Sequence, residues 1–147
     1  MSLLKNVLLT VHSYIENLDE CGNSDGYPER SDTMHEAKMS AEADRIILTY
    51  TERTEGGTVL WRVECCADTV TVTRSGAASS VMRFNTATPY EGIYEVSPFK
   101  FDMKIVTSGL KNRLTLFGGS VDILYTMSIG GADKRCRMKM TVGEVRV

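Results

Sequence analysis

The sequence predicts an all-β domain: a single up-and-down meander of about eight to ten antiparallel strands closed into a barrel. Three observations carry this. Side-chain polarity alternates with period two through most of the chain from Asp44 onward, which marks strands with one buried and one wet face. Short turn signals separate the alternating stretches at hairpin spacing. No window of helical length sustains a 3.6-residue period.

The strands are read at 4–15, 33–42, 45–53, 58–65, 69–75, 78–85, 90–96, 99–107, 113–129 (broken at Gly118-Gly119) and 134–143. In the third, Ile46, Leu48 and Tyr50 share a face with Glu52; in the fourth, Val59, Trp61 and Val63 alternate with Thr58, Leu60, Arg62 and Glu64. Val70 and Val72 lie between Thr69, Thr71 and Thr73, and Phe99, Phe101, Met103 and Ile105 alternate with Lys100, Asp102 and Lys104. Val121, Ile123, Tyr125, Met127 and Ile129 form the inner face of the ninth strand, and Cys136, Met138, Met140 and Val142 that of the tenth. Glu55-Gly56-Gly57, Ala67-Asp68, Ser75-Gly76, Ser97-Pro98 and Gly130-Gly131-Ala132-Asp133 supply the turns. Residues 107–113 have room for one helical turn at most. The long connection is the polar segment 17–32, read as a lid or a disordered excursion. So many hairpin-linked strands expose edges and an apolar face unless they close. Closure favours the barrel over a two-sheet sandwich.

The 147 residues are 42% hydrophobic and 24% charged, with 17 basic against 19 acidic side chains. This suits one soluble domain spanning 1–147. A formal charge of −2 argues against a dedicated nucleic-acid binder, and no apolar run approaches the ~18 residues of a membrane span. Cys21, Cys65, Cys66 and Cys136 lack zinc-like spacing. Vicinal Cys65 and Cys66 would face opposite sides of a strand. The four are read as reduced thiols of a cytoplasmic protein. Lys5 and Asn6 interrupt the apolar N-terminal stretch and no cleavage pattern follows, so no signal peptide is expected.

Tyr50-Thr51-Glu52, Val72-Thr73-Arg74-Ser75-Gly76, Met82-Arg83-Phe84, Tyr94, Thr107 and Tyr125 fall in the order and spacing of the YwiB-like family, small bacterial proteins of unknown function. The chain resembles that family over roughly residues 33–142. The resemblance implies a calycin-like barrel, similar in architecture to lipocalins and fatty-acid-binding proteins, and brings no catalytic residues with it. Lys100 follows Pro98-Phe99 where the family tends to place glycine, and the Gly-x-Trp of lipocalins is missing; the single tryptophan is Trp61.

Two charges sit on apolar faces: Glu52 on the third strand and Arg74 beside Val70 and Val72 on the fifth. In a meander these strands run in the same direction, about 10 Å apart at ~4.8 Å per strand spacing. The two charges are therefore expected to point inward at one rim and to pair or meet water. One reading is a polar anchor at a pocket mouth, with Arg74 binding a carboxylate or phosphate; the other is a structural ion pair closing the barrel end. Five inward methionines, Met82, Met103, Met127, Met138 and Met140, suit either an adaptable cavity or an irregular core.

The candidate ligand site is thus Arg74, Glu52, Tyr50 and Tyr94, with Met82, Phe84, Phe101, Met103, Tyr125 and Met138 as the apolar wall. It would hold a small amphipathic or anionic ligand. Arg135, Arg137 and Lys139 form an outward stripe, a solvated face or a track for RNA backbone. His12 and His35 lie near no recognisable nucleophile or metal-ligand pattern, and no catalytic residue, metal or cofactor is expected. The alternative function is a structural or interaction protein with a filled core, meeting a protein or RNA partner through its outer surface.

Overall fold

A computed structural model of the chain describes residues 3–42, 44–96 and 98–144. The first two residues, which begin the N-terminal stretch, and Ser97 of the Ser97-Pro98 turn lie outside the described residues, as do Ala43 and 145–147. Ten strands follow one another: β1 (Leu3–Asn17), β2 (Glu29–Glu42), β3 (Arg45–Thr54), β4 (Gly57–Cys65), β5 (Val70–Gly76), β6 (Ser79–Phe84), β7 (Tyr90–Val96), β8 (Phe99–Asn112), β9 (Gly119–Ile129) and β10 (Ala132–Glu144). Each pairs antiparallel with its sequence neighbours, and β10 pairs with β1 from Val7↔Glu144 to Asn17↔Lys134, closing the barrel. Closure removes the free edges that an open meander would carry. The alternation is realised as read: Val7, Leu9, Leu48, Val63, Val72, Met103, Ile123 and Met140 are buried, and Lys38, Arg62, Lys104, Arg137 and Lys139 between them are exposed.

Three boundaries differ from the sequence reading. β2 begins at Glu29 because it pairs with β1 along the whole of the expected strand, up to Ile15↔Glu29, and β1 itself runs on to Asn17. The connection shrinks to 18–28 and is hydrogen-bonded: Asp19 Oδ1 accepts from the amides of Cys21 and Asn23 at 2.9 Å, and the Leu18 amide donates to the Asp133 carbonyl at 3.0 Å. It lies at the same end as the β3–β4, β5–β6 and β9–β10 turns. β8 continues to Asn112, and no helical turn forms in 107–113. A bulge between Thr107 and Gly109 shifts the inward set from odd to even positions, which breaks the period-two signal inside a continuous strand.

Residues 113–118 form a turn rather than strand, with reciprocal Thr115–Gly118 backbone hydrogen bonds of 2.8 and 3.1 Å. Gly119, at φ +127°, starts β9 there; a Cβ on it would lie 2.2 Å from the Arg113 carbonyl oxygen.

The interior has two unlike halves. At one end Met39, Leu48, Val70, Phe84, Ile105 and Val121 fill the lumen completely. Asn112 Nδ2 reaches across that end to the Cys66 carbonyl at 2.7 Å, tying β8 to the end of β4. At the other end the side chains stand back from the axis. The wall is thinnest between β6 and β7, which share only the pairs Ser79↔Glu95 and Ser80↔Tyr94 among the described residues.

Candidate functional site

The open half is a cup of about 270 Å³, just under the ~300 Å³ at the small end of ligand pockets. Its lining falls into three walls. β1 to β3 contribute Ser13, Ser31, Thr33, His35, Tyr50 and Glu52; β4 to β7 contribute Trp61, Arg74, Met82 and Tyr94; β9 and β10 contribute Tyr125, Met127, Met138 and Met140. Tyr125 forms the floor, its ring edge-to-face with Phe84 below at 4.7 Å and 61°.

A ladder of flat groups crosses the strands. Tyr50 is directly opposite Trp61, and Trp61 directly opposite Arg74. His35 stacks on Tyr50 at 4.3 Å between centroids, and Tyr50 lies parallel to Trp61 at 5.8 Å and 8°. The Arg74 guanidinium carbon is 5.3 Å from the Trp61 ring centroid and 4.8 Å from that of Tyr94, so the cation lies over two aromatic rings. Such cation–π contacts contribute about 0.5–1 kcal/mol each where water still reaches. Arg74 Nε donates to Ser80 Oγ at 2.9 Å, and Ser80 is itself buried. That bond orients the guanidinium, and its two terminal nitrogens bond to no acceptor among the described residues.

No carboxylate lies within ion-pairing distance of Arg74 among the described residues; the acids that pair are Glu16, Asp32, Glu42, Asp44, Glu64 and Asp122. The expected Glu52–Arg74 pair is therefore not formed. Register supplies the reason: Glu52 is opposite Val59, two positions nearer the rim than Tyr50, whereas Arg74 is level with Tyr50 through Trp61. Trp61 Nε1 is buried and donates to no described acceptor, an omission that costs about 1–3 kcal/mol.

Burial, with the nearby Glu52 charge adding to it, pushes the Tyr50 phenol above its ordinary value. Burial likewise raises Tyr125, helped by Cys136 beside it. Both phenols are neutral donors throughout the physiological range. Burial also pushes the Cys136 thiol up to about 11 and Cys65 to about 12, so neither is a ready nucleophile. All four cysteines are free, and Cys65 and Cys66 face opposite sides of β4 and its exit.

Of the sequence-predicted site residues, Arg74, Glu52, Tyr50, Met82, Tyr94, Tyr125 and Met138 line the cup together. Three do not. Phe84 and Met103 point inward but are consumed by the packed core, at 0% and 2% exposure. Phe101 stands at the lip, 41% exposed, stacked on Phe99 at 6.4 Å; its alternation was correct, but β8 begins at the rim, above the lumen. His35, Ser13, Ser31 and Thr33 were missed, although their odd positions on β1 and β2 share the inner face with Leu9, Ala37 and Met39.

The basic stripe is outward and largely neutralised. Arg137 pairs with Asp122 through Nη2 at 2.7 Å and Nε at 3.1 Å, and Arg135 meets Glu16 at 3.3 Å. Tyr14 does interleave with it, opposite Arg137 and beneath the Arg30 guanidinium at 5.1 Å. His12 bonds to Asp32 on this outer face, while its neighbour Ser13 faces the cup. No group of three or more metal-ligating His, Cys, Asp or Glu side chains occurs among the described residues.

The chain is similar over 97% of its length to the crystal structure of the ywiB protein from Bacillus subtilis, with a TM-score of 0.84, 24% identity and 94% of that chain covered. At that identity the likeness shows the fold, a calycin-like barrel. A search of curated proteins finds no match. The family model described as "Domain of unknown function (DUF1934)" matches residues 18–140, from the β1–β2 connection to the middle of β10. With most of the barrel and the whole ladder from His35 to Tyr94 inside that span, the chain belongs to this YwiB-like family.

Proposed function

We propose that this protein binds a small amphipathic anion in the cup, with Arg74 as the anchor for its acidic group. The observation that carries the reading is the state of Arg74: two aromatic rings against it, Nε committed to Ser80, and no acid partner among the described residues. The edge of a guanidinium matches the two oxygens of a carboxylate or the oxygens of a phosphate lying in the same plane. The thioethers of Met82, Met127, Met138 and Met140 offer a deformable surface for the apolar remainder. A depression of about 470 Å³ between β6 and β7 also reaches Arg74 from outside, giving the anchor a second approach through the weakly paired wall. The four free thiols support a reducing compartment, and we place the protein in the cytoplasm.

The alternative, a partner protein or RNA on the outer face, draws on the Tyr14–Arg30 stack. It stands second because Arg135 and Arg137 already spend their charge on Glu16 and Asp122.

The test is native mass spectrometry of freshly purified protein, followed by calorimetric titration of small carboxylic and phosphoric acids. Arg74→Met is expected to lose any co-purified acid and to weaken binding about 100-fold. That is the loss of roughly 3 kcal/mol in charge-assisted hydrogen bonds. Undiminished affinity in Arg74→Met, or no acid bound by the parent protein, refutes the anchor.

A further inference from the structure

The cup holds a second uncommitted charge. Glu52 lines the same volume as Arg74 and belongs to no ion pair among the described residues. Register keeps the two at different heights on strands separated by β4. Trp61 lies level with Tyr50 and Arg74, whereas Glu52 is opposite Val59, two positions nearer the rim. A charge facing a partly desolvated cavity is costly unless something pairs with it, and a barrel end closed merely for stability would let these two meet. Here each opens on the cup separately.

The surroundings of the two charges differ in kind. Arg74 has two aromatic rings against it and a hydroxyl on Nε, a receptor for one planar oxyanion. Glu52 shares the cup lining with the acceptor-capable hydroxyls of Ser31 and Thr33. Carboxylate and hydroxyl oxygen together suit an ammonium group. Between and below them lie thioether and phenol.

Building on the Arg74 reading above, we infer that the occupant is a small zwitterion: an acidic group on Arg74, an ammonium group on Glu52, and a short apolar spacer between them. The cup volume of about 270 Å³ limits that spacer to one ring or a short chain, since ligand pockets begin near ~300 Å³. The selectivity follows from desolvation. A plain anion satisfies Arg74 and leaves Glu52 facing the ligand's apolar end, whereas a plain cation leaves Arg74 bare. Only a ligand carrying both charges pairs both side chains.

The experiment compares zwitterions with anions of the same shape by calorimetric titration on the full chain. The pairs are 6-aminohexanoate against heptanoate and 4-(aminomethyl)benzoate against 4-ethylbenzoate. The zwitterion of at least one pair is expected to bind at least tenfold tighter than its isostere. Glu52→Gln should erase that preference, with the anion bound at least as tightly as by the parent protein, and Arg74→Met should abolish both. Anions binding as tightly as their zwitterions, or a preference that survives Glu52→Gln, overturns the zwitterion and leaves the Arg74 anchor standing if Arg74→Met still eliminates binding. Failure of all four probes to bind the parent protein overturns both readings. The comparison within the parent protein decides the question even if Glu52→Gln does not fold.

Discussion

Truncating Phe84 and truncating Met138 are expected to cost very different amounts, because the two inward side chains lie in opposite halves of the barrel. Phe84 is fully buried and meets the Tyr125 ring edge-on at 4.7 Å. Phe84→Ala leaves a void in a close-packed layer and deletes an aromatic pair, a loss of about 4 kcal/mol. Met138 is half-buried and lines the cup, so part of what it touches is already open space. Met138→Ala removes only the buried fraction of the side chain, about 1 kcal/mol. With ~2.1 cal/mol/K of unfolding entropy per residue over 147 residues, these become losses of about 13 °C and about 3 °C in Tm. Urea and thermal unfolding followed by far-UV circular dichroism read both. An unchanged urea slope assigns the difference to the folded state. Equal losses for the two variants would refute the division into a packed half and an open one, and the cup with it.

Two further outcomes bear on the frame. Gly119→Ala should lose at least ~2 kcal/mol in the same urea titration, since its φ of +127° and the Arg113 oxygen 2.2 Å from a Cβ admit no side chain; a neutral result would discard the β8–β9 turn geometry. The second concerns acid. Arg137 bonded to Asp122 holds that carboxyl below the usual range, and Arg45, with Arg62, does the same for Glu64. Depressed folded-state values mean stability that is present above the ordinary carboxylate range near ~4 and lost as pH falls through the folded values. Arg137→Met should therefore be less stable than the parent at pH 7, with the difference vanishing near pH 2. A gap that persists in acid would show that packing, not charge, is what Arg137 contributes.

Most of the barrel was legible because a strand records its own facing in every second residue. Ile46, Leu48 and Tyr50 declare an inner face without reference to any other strand, and the same parity carried Glu52 and Arg74 inward. It failed where one extra residue at the Thr107–Gly109 bulge reversed the parity within β8, and where the reach of β2 depended on how far β1 ran beside it. Face does not give depth along the barrel axis. Phe84, Met103 and Phe101 share the parity of Tyr94 and Met138, yet two lie beneath the cup and one above it.

The amino-acid order alone thus determined the class, the meander, which side chains look inward, and the presence of two charges among them. What only the tertiary structure decided was register around the ring. Register set Trp61 level with Arg74 and below Glu52, aligned Ser80 and Tyr94 with the guanidinium, and packed the inward side chains tightly at one end while leaving the other hollow. Alternation is local, written in the geometry of a single extended chain. Height is collective, summed over the stagger of ten strands that must close on themselves, and no single segment encodes it.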